Sequence, residues 1–549
     1  MWFSFISKST RLRSLLQQGY FPSELPLPFN TQDLGKYRSS ILRSWSKTLS
    51  QTPKTVPGTF SIPKGQFGRR HLRVVNPISQ TYLSELIANN WIKIRNHLIK
   101  SQYSASKLEI RSTGGRAVDT PDFQSIEQHR LEISAEYNFA LVSDVSRFYG
   151  TLYTHTLAWA LHGKQWSKVN INSPALASSL GNQLDIAVRK GQDNQTLGIP
   201  IGPDTSRILS EIIASSVDQN IQKSNALKNA RAIRNVDDWF IGFDSLGAAE
   251  KAINHLDNSY RTFELELNAE KTKTISTDSV YRSVWVQELT SILSRMAPKP
   301  KKPELFEFFT NAFHLQQQHP HEHIVLWAVK SIRSKKIQKS TWPTFETFLL
   351  KTSRQQTASI PVVVQILSAY SEAHYPINVA RCAKLIEDTI AIHSPRGHHF
   401  EVSWVLYLAV SLNISLSKRS CELVSNLENS ICAIVALHLQ SLGLAQYLNV
   451  NLWKTYMTAD SLKSDMWLLA YEADLKGWLS GTPTNFVDND FFFGVLKQKN
   501  ISFYIANKRY RLPSNRPSLL DIWKKLRLRD AEDMNFYGFT NLRANPPEE

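Results

Sequence analysis

The feature that most constrains the fold is a change of hydrophobic pattern near residue 284. From about residue 69 to 273, short apolar runs typical of strands alternate with helical periods. Such alternation predicts an α/β or α+β domain. After residue 284 strand patterns nearly vanish, and amphipathic helical periods follow one another, separated by Pro, Gly or Asn. The chain therefore predicts a mixed domain followed by an all-helical one.

The clearest elements can be placed directly. We expect strands at 71–75 and 139–144, a helix at 206–219, and almost no strand beyond residue 290. Helix pairs in the second half recur at roughly 35–45 residues, as in helical-repeat arrays. The predicted helices of that half are 305–313, 324–332, 362–371, 379–393, 402–412, 421–440 and 464–479.

The pattern divides the chain into three parts. Residues 1–65, rich in Ser, Thr, Pro and basic residues, predict an irregular or loosely helical basic arm. Residues 66–285 form the mixed domain, and residues 286–549 form a helical-repeat-like domain with a basic tail at about 501–530.

Positive charge is concentrated at two places in the chain. The 549 residues carry a formal net charge of +17, of which residues 1–100 contribute +12 and residues 501–530 contribute +6. Phosphate backbones are the commonest partners of such blocks. In the second block Tyr504, Tyr510 and Trp523 are interleaved with Lys and Arg, a combination that suits stacking on unpaired bases. The charge pattern therefore predicts nucleic-acid binding, with a solvated basic face as the alternative.

Several classes of protein are excluded by composition. The chain lacks the run of about 18 apolar residues that a membrane span needs, so we expect no membrane contact. Three cysteines rule out a disulfide scaffold and an all-cysteine metal site, and they suit a reducing cytoplasm.

Four local patterns that can carry chemistry follow one another. An apolar run ends in Asp144 and two adjacent aromatics; a Gly-Pro-rich turn at 198–206 precedes a helix; Asp237 and Asp238 separate two apolar runs, as in a hairpin; and Lys271 follows a short strand-like run. Each pattern alone also fits an ordinary role: a cap, a structural turn, an exposed acidic turn, or a solvated lysine.

Together and in this order, the four patterns resemble motifs A to D of the reverse transcriptase palm. Upstream, residues 69–80, Arg-Arg-His-Leu-Arg-Val-Val-Asn-Pro-Ile-Ser-Gln, resemble the fingers segment of bacterial reverse transcriptases. The stretches 148–164 and 198–206 resemble the defence-associated bacterial lineages, the abortive-infection and unknown-group enzymes. The resemblance covers about residues 65–280.

This resemblance implies an α+β fold, a right-hand polymerase fingers and palm, followed by the helical-repeat-like domain. It implies an RNA-directed or template-independent DNA polymerase that adds dNTPs by two-metal nucleotidyl transfer in antiphage defence. RNA or DNA, dNTPs, and a second copy or a second polymerase are the implied partners. Two alternatives stay open: a retron or mobile-element reverse transcriptase that copies a partner RNA, and a catalytically degenerate RNA-binding scaffold.

The resemblance also assigns the metal ligands. Asp144 and Asp237 are implied as shared ligands of two Mg²⁺ ions, with Mn²⁺ as a substitute. Asp238 assists from farther away, and Val145 offers a backbone carbonyl. Lys271, the fourth catalytic residue with the three aspartates, is implied to protonate or orient the leaving pyrophosphate.

The substrate-binding residues are implied in the same way. The ring of Tyr149 lies where the family excludes a sugar 2′-hydroxyl. Pro200 and Gly202 are implied as the platform under the primer terminus and the incoming base. Guanidinium groups match phosphate oxygens, so three arginines are candidates to hold the triphosphate: Arg69, Arg70 and Arg73.

Overall fold

The computed structural model describes residues 6–46, 51–65, 68–106, 108–119, 123–224, 227–228, 230–279 and 284–512. Within these ranges the chain forms two antiparallel sheets, both built from residues before position 277. The first sheet is a hairpin of β1 (Gly58–Lys64) and β2 (Gly68–Val74). The second has four strands in the order β4-β5-β3-β6. Its strands are β3 (Phe139–Ser143), β4 (Ala232–Asn235), β5 (Asp238–Phe243) and β6 (Lys273–Ser276).

Helices surround these sheets in the first half of the chain. They are α1 (Lys8–Gln17), α2 (Gln32–Lys36), α3 (Arg38–Trp45), α4 (Pro77–Leu98), α5 (Phe123–Glu136), α6 (Phe148–Thr151), α7 (Thr156–His162), α8 (Lys164–Val169), α9 (Pro174–Ala177), α10 (Leu180–Lys190), α11 (Asp204–Lys223) and α12 (Leu246–Arg261). The predicted strands at 71–75 and 139–144 and the predicted helix at 206–219 are confirmed as β2, β3 and α11, each with slightly different ends.

From residue 284 to 512 the described chain contains helices and turns. The α-helices are α13 (Val284–Arg295), α14 (Lys302–Gln318), α15 (Ile324–Ile332), α16 (Trp342–Gln355), α17 (Ile360–Glu372), α18 (Val379–His393), α19 (His399–Leu412), α20 (Lys418–Ser425), α21 (Ser430–Ser441), α22 (Asn451–Lys454), α23 (Trp467–Leu475) and α24 (Phe493–Gln498). The absence of strands beyond residue 290, as predicted, therefore holds for these residues. The repeat arrangement stays a prediction.

One predicted helix is wrong in its length. The stretch 421–440 is two helices, α20 and α21, separated at residues 426–429. Asn429 begins the second helix, because its side chain accepts a hydrogen bond of 3.1 Å from the backbone N–H of Cys432. Asparagine is a strong N-cap residue, so a new helix starts where apolar periodicity alone indicated a continuous one.

The apolar core has two main parts. One fills the space between the four-stranded sheet and helices α10, α11 and α12. The other joins α2, α3 and the β1–β2 hairpin to the helices after residue 284. Helices α1 and α4 contribute to both: Leu83, Ile87 and Trp91 of α4 lie in the first, and Ile78 and Tyr82 lie in the second.

The N-terminal residues differ from the loose arm that their composition predicted. Residues 6–46 contain three helices, and Leu16, Leu34, Ile41 and Trp45 are fully buried. The indole N–H of Trp45 donates to the carbonyl of Phe492, 3.1 Å away, near the other end of the chain. Apolar side chains spaced along short helices let this segment pack, although basic and polar residues dominate its composition.

The β1–β2 hairpin lies against the second half of the chain. Asn429 Nδ2 donates to the carbonyl of Thr59 at 2.7 Å, and the indole N–H of Trp467 donates to the carbonyl of Val74 at 3.0 Å. These bonds satisfy backbone groups at both edges of a two-stranded sheet, which has little stability on its own. The hairpin is therefore held by the helices that follow residue 284. Among the described helices, none combines the length and hydropathy that a membrane-crossing segment requires.

Candidate active site

Asp144 stands at the end of the central strand of the four-stranded sheet. Strand β3 pairs with β5 on one side and with β6 on the other, and Ser143 lies opposite Trp239 of β5. The next residue, Asp144, therefore lies beside the start of β5. Its carbonyl accepts a hydrogen bond of 2.7 Å from the N–H of Asn268, and the residue is 7% exposed. The sheet thus presents one buried carboxylate at a strand end, as predicted.

The β4–β5 hairpin brings two more carboxylates to the same place. Asn235 pairs with Asp238, so only Val236 and Asp237 form the turn. The carboxyl groups of Asp237 and Asp144 are within hydrogen-bonding reach of each other. Burial, followed by the charges of Asp238 and Asp144, raises the pKa of Asp237 well above its usual range. Carboxylates this close need a shared proton or a cation, and the predicted acidic hairpin is therefore confirmed in its geometry.

Lys271 supplies a cation to this cluster. Its Nζ forms an ion pair with Oδ2 of Asp144. Burial lowers the pKa of Lys271, but the hydrogen bond and charge of Asp144 outweigh this effect, and the pKa is raised overall. The turn at 268–272 that carries the lysine is tied to β3 through the bond between Asn268 and Asp144. All four predicted catalytic residues are therefore brought together.

The oxygen atoms of this cluster fit a divalent cation. Carboxylate and carbonyl oxygens are the hard ligands that Mg²⁺ prefers. Val145 and Leu267 form an isolated antiparallel β-bridge. The hydrogen bonds of this bridge are made by the flanking residues, Asn268 with Asp144 and Ser146 with Glu266, so the carbonyl of Val145 takes no part in the pairing. Oδ1 of Asn235, next to the turn, is buried and accepts no hydrogen bond from the described residues. The donor set thus includes Asp144, Val145, Asp237 and Asp238, the residues that the resemblance implies as metal ligands.

Tyr149 lies in the short helix α6, five residues after Asp144. Its hydroxyl accepts a hydrogen bond of 3.3 Å from Ser210 Oγ of α11, and its carbonyl accepts one of 2.9 Å from the N–H of Ile199. Burial raises the pKa of Tyr149. Tyr149 as a residue is partly exposed, while its hydroxyl is buried and held by α11.

The turn at 198–206 is held by a buried ion pair. Arg116 donates to the carbonyl of Gly202 at 2.8 Å and to Oδ1 of Asp204 at 2.6 Å, and the side chains of Arg116 and Asp204 are 9% and 0% exposed. Gly202 has a φ of +131°, where side chains are strained, and a Cβ would approach Pro22 Cγ to 2.7 Å. Pro200 and Gly202 are both buried. The turn is therefore held in place by Arg116 and Asp204 and by its packing against Pro22.

The three predicted arginines have different surroundings. Arg69 makes a bidentate ion pair with Glu401 of α19, at 2.6 and 2.8 Å. Arg73 donates through Nη1 to Thr59 Oγ1 at 2.5 Å, and its N–H donates to the carbonyl of Ile201 at 2.8 Å. The side chains of Arg69 and Arg73 therefore support the hairpin. Arg70 lies near Lys64, because its charge lowers the pKa of that lysine.

Lys64, at the tip of β1, was missed by the sequence analysis. Burial and the charges of Arg70 and Lys271 lower its pKa, while Asp144 and Asp237 act in the opposite direction. Its ammonium is therefore near the carboxylate cluster. The signal in the sequence was the Pro63-Lys64-Gly65 turn between two strand-like runs, which placed a cation at a hairpin tip without indicating what the tip faces.

The predicted nucleic-acid tail is wrong in one part. Tyr504 is fully buried, and its hydroxyl lies 2.9 Å from His438 Nδ1. Tyr510 packs against Tyr407, with ring centroids 6.1 Å apart. The ring of Tyr504 is therefore not presented for stacking on a base, whereas Tyr510 is partly exposed. Residues 513–530 of the predicted tail, including Trp523, lie outside the described residues.

Comparison with known proteins identifies the domain that carries this cluster. Residues 62–319, just under half of the chain, match the model of the family described as reverse transcriptase (RNA-dependent DNA polymerase). This segment includes every predicted site residue. The chain therefore contains a reverse transcriptase domain, of the family described as RNA-dependent DNA polymerases.

Among solved structures, telomerase from Candida albicans, in complex with the TWJ fragment of telomeric RNA, is similar to this chain. The identity is 14%, the alignment covers 68% of this chain and 69% of the telomerase chain, and the TM-score is 0.28. A similarity this low supports no inference about this chain. A search of curated protein sequences found no significant match.

Proposed function

We propose that this chain is a DNA polymerase of bacterial antiphage defence that acts in the cytoplasm and extends a primer with dNTPs, either on an RNA template or without a template. The observation that carries the proposal is the convergence of Asp144, Asp237 and Lys271 at one end of the strands of the four-stranded sheet, inside the segment that matches the reverse transcriptase family. The antiphage role rests on the resemblance of residues 148–164 and 198–206 to the defence-associated lineages.

In this proposal Asp144 and Asp237 hold two Mg²⁺ or Mn²⁺ ions, with help from the carbonyl of Val145 and, from farther away, Asp238. Bound metal ions of this kind lower the pKa of an attacking 3′-hydroxyl and neutralise charge on the triphosphate. Lys271 faces the same carboxylates. Its ammonium is therefore close enough to orient or protonate a leaving pyrophosphate once its partner carboxylate binds a metal.

The other site residues surround this centre. The ring of Tyr149, held by Ser210, would exclude a 2′-hydroxyl. The turn with Pro200 and Gly202 would support the primer terminus. Arg69, Arg70 and Arg73 stay proposed as the residues that hold the triphosphate; in this structure the side chain of Arg69 pairs with Glu401 and that of Arg73 with Thr59.

The partners are proposed from charge and resemblance. The basic N-terminal hundred residues, with a net charge of +12, suit an RNA template or a DNA product. The helices after residue 284, proposed to form a repeat-like array with a boundary near residue 285, offer a surface for a second copy of the chain or a second polymerase. A retron-type or mobile-element enzyme that copies a partner RNA is the alternative. The hypothesis of a catalytically degenerate RNA-binding scaffold is disfavoured, because Asp144, Asp237, Asp238 and Lys271 are all retained.

A primer-extension assay with the purified full chain tests the proposal. We expect labelled dNTP incorporation with Mg²⁺ or Mn²⁺ that is lost in Asp144→Asn. Product formed only with RNA indicates RNA-directed synthesis, and product formed without template indicates untemplated synthesis. Nucleic acid that co-purifies with the chain, identified by nuclease digestion and sequencing, names the natural template or product. No incorporation under any of these conditions would contradict the proposal.

The defence role needs a separate measurement. Phage should form fewer plaques on bacteria that express the chain than on bacteria that express the Asp144→Asn variant at the same level. Equal plaque numbers, together with activity in the primer-extension assay, would favour the retron or mobile-element alternative.

A further inference from the structure

A fully buried arginine lies two residues before the carboxylates of the β4–β5 turn. Arg234 is 0% exposed and contacts two carboxylates of α11, Asp218 and Glu211, which are 0% and 2% exposed. Its Nε and Nη2 donate to Asp218 at 2.9 and 2.6 Å, and Nη2 also donates to Glu211 Oε1 at 2.7 Å. The buried charges are thus paired through several hydrogen bonds, the condition under which burial of ions is tolerated.

The third nitrogen of this guanidinium, Nη1, contacts the β4–β5 turn. Nη1 of Arg234 donates to the carbonyl of Val236, 2.6 Å away. Val236 has a φ of +59°, in the left-handed region that β-branched residues rarely adopt. Such a conformation persists only where surrounding contacts impose it. The hydrogen bond from Arg234 is a contact of this kind, and the next residue in the chain is Asp237.

Two serines of the loop that follows α4 also hydrogen-bond the carboxylates that pair with Arg234. Ser101 Oγ donates to Asp218 Oδ2 at 2.5 Å, and Ser104 Oγ donates to Glu211 Oε1 at 2.7 Å. These bonds fix the carboxylates that in turn fix the guanidinium. None of them touches the turn, so Ser101 and Ser104 act only on the buried part of the network.

We infer that Arg234 is a positioning residue: anchored by Asp218 and Glu211, it holds Val236 in the left-handed conformation and so places the Asp237 carboxylate beside Asp144 for metal binding. This inference rests on the proposed function. A lysine cannot replace the arginine, because the planar fork donates in several directions at once, to both carboxylates and to the carbonyl, whereas an ammonium is a single point charge. The residue touches neither substrate nor metal.

Mn²⁺ binding to the full-length chain, measured by electron paramagnetic resonance titration, tests the inference without an activity assay. Loss of a Mn²⁺ site in Asp237→Asn identifies the carboxylate site. Arg234→Lys, which keeps the buried charge, should weaken Mn²⁺ binding at that site at least about tenfold, as is usual when a residue supporting metal ligands is changed. Unchanged Mn²⁺ affinity in a folded Arg234→Lys variant would overturn the inference, as would the absence of a Mn²⁺ site that depends on Asp237.

A rescue variant separates positioning from general structural support. Glycine adopts a positive φ without strain, so Val236→Gly in the Arg234→Lys background should restore Mn²⁺ affinity to within about threefold of the parent. A purely structural role for Arg234 predicts no rescue, and a double variant that binds as weakly as Arg234→Lys would refute the inference. Ser101→Ala is the matched control: it alters the buried network but leaves the bond to Val236, and Mn²⁺ affinity should be retained.

A second variant covers the case in which Arg234→Lys does not fold. The triple change Arg234→Met, Asp218→Asn and Glu211→Gln removes the buried charges together, so no ion is left unpaired. It should fold and still lose Mn²⁺ affinity; a triple variant that binds Mn²⁺ as the parent does would overturn the inference. If the parent binds Mn²⁺ at Asp237 but incorporates no dNTP, the proposed polymerase function fails while the positioning role stands.

Discussion

Arg69 and Glu401 form a bidentate ion pair across 332 residues of sequence, with Nη1 2.6 Å from Oε1 and Nη2 2.8 Å from Oε2. The side chain of Glu401 is 1% exposed and that of Arg69 is 18% exposed. The pair joins strand β2 to helix α19. The hairpin that carries Lys64 close to the carboxylates is therefore anchored to the helical half of the chain.

This ion pair predicts an order of stabilities. Arg69→Met should lower the free energy of unfolding by about 3 kcal/mol, because it removes the guanidinium from the buried carboxylate of Glu401 and leaves that carboxylate beside the imidazoles of His393 and His398. Glu401→Gln should cost less, because the guanidinium left behind can reach solvent. Asp388→Asn, which breaks the exposed pair with Arg354 (33% and 46% exposed), should cost less than about 1 kcal/mol. Urea unfolding measures all three, and equal losses would contradict the anchoring role.

The metal assignment predicts that Asp237→Asn abolishes dNTP incorporation and leaves the fold intact. The change removes a charge and a metal ligand at almost constant volume, and it also relieves repulsion with Asp144 and Asp238. Primer extension and circular dichroism are the measurements. Asp244→Asn is the matched control, since Asp244 directly follows β5 and is exposed; it should polymerise as the parent does. Parental activity in Asp237→Asn would show that the metal ligands are elsewhere.

The position of Tyr149 predicts its effect on sugar selection. Tyr149→Ala should raise incorporation of ribonucleotides relative to deoxyribonucleotides by about tenfold or more, equivalent to about 1.4 kcal/mol, because removal of the ring opens space for a 2′-hydroxyl. Tyr149→Phe keeps the ring and loses only the contact with Ser210, so it should retain the parental preference. An unchanged ratio in Tyr149→Ala would assign the ring to packing instead.

A buried acid in the helical half predicts a pH dependence of stability. Glu472 of α23 is fully buried, and this burial raises its pKa from 4.5 to about 7, against the opposing effects of Lys476 and hydrogen bonds to residues 502–504. The unfolded chain releases this proton near pH 4.5 and the folded chain near pH 7, so the contribution of this group to stability is greatest below pH 4.5 and declines as pH rises to 7. A shift of this size corresponds to about 3 kcal/mol.

Glu472→Gln removes this proton linkage. Urea unfolding between pH 4 and 8 should show the parent losing about 3 kcal/mol relative to the variant across that window, with a constant difference above pH 7. Parallel stability curves for the two proteins would contradict the shifted pKa.

The basic tail predicts a salt effect on nucleic-acid binding. Reversal of Lys524, Lys525, Arg527 and Arg529 to Glu should weaken binding and flatten the slope of log affinity against log salt, by as much as about 3 units if all four contact phosphate. A short primed substrate at saturating concentration should still be extended. An unaltered slope would mean that the tail does not contact the nucleic acid.

Local pattern sufficed for the elements that carry the chemistry. The apolar run before Asp144 is strand β3, and the two runs around Asp237 and Asp238 form a hairpin, because strand period and turn chemistry act over a few residues. The order of the motifs then predicted that these elements meet. The position of Lys64 beside the carboxylates could not be predicted from the sequence, because the direction of a hairpin tip depends on the helices that pack against the hairpin.

Sequence by itself determined the mixed and helical halves and the set of acidic and basic residues at the site. Tertiary structure decided which of the predicted polar side chains are engaged by other parts of the protein. Arg69 pairs with Glu401, Tyr504 is buried against His438, and Arg234 is enclosed beside the turn that carries Asp237. The physical reason is range. Periodicity reports which face of an element is apolar, whereas the partner of a charged side chain depends on packing between segments hundreds of residues apart.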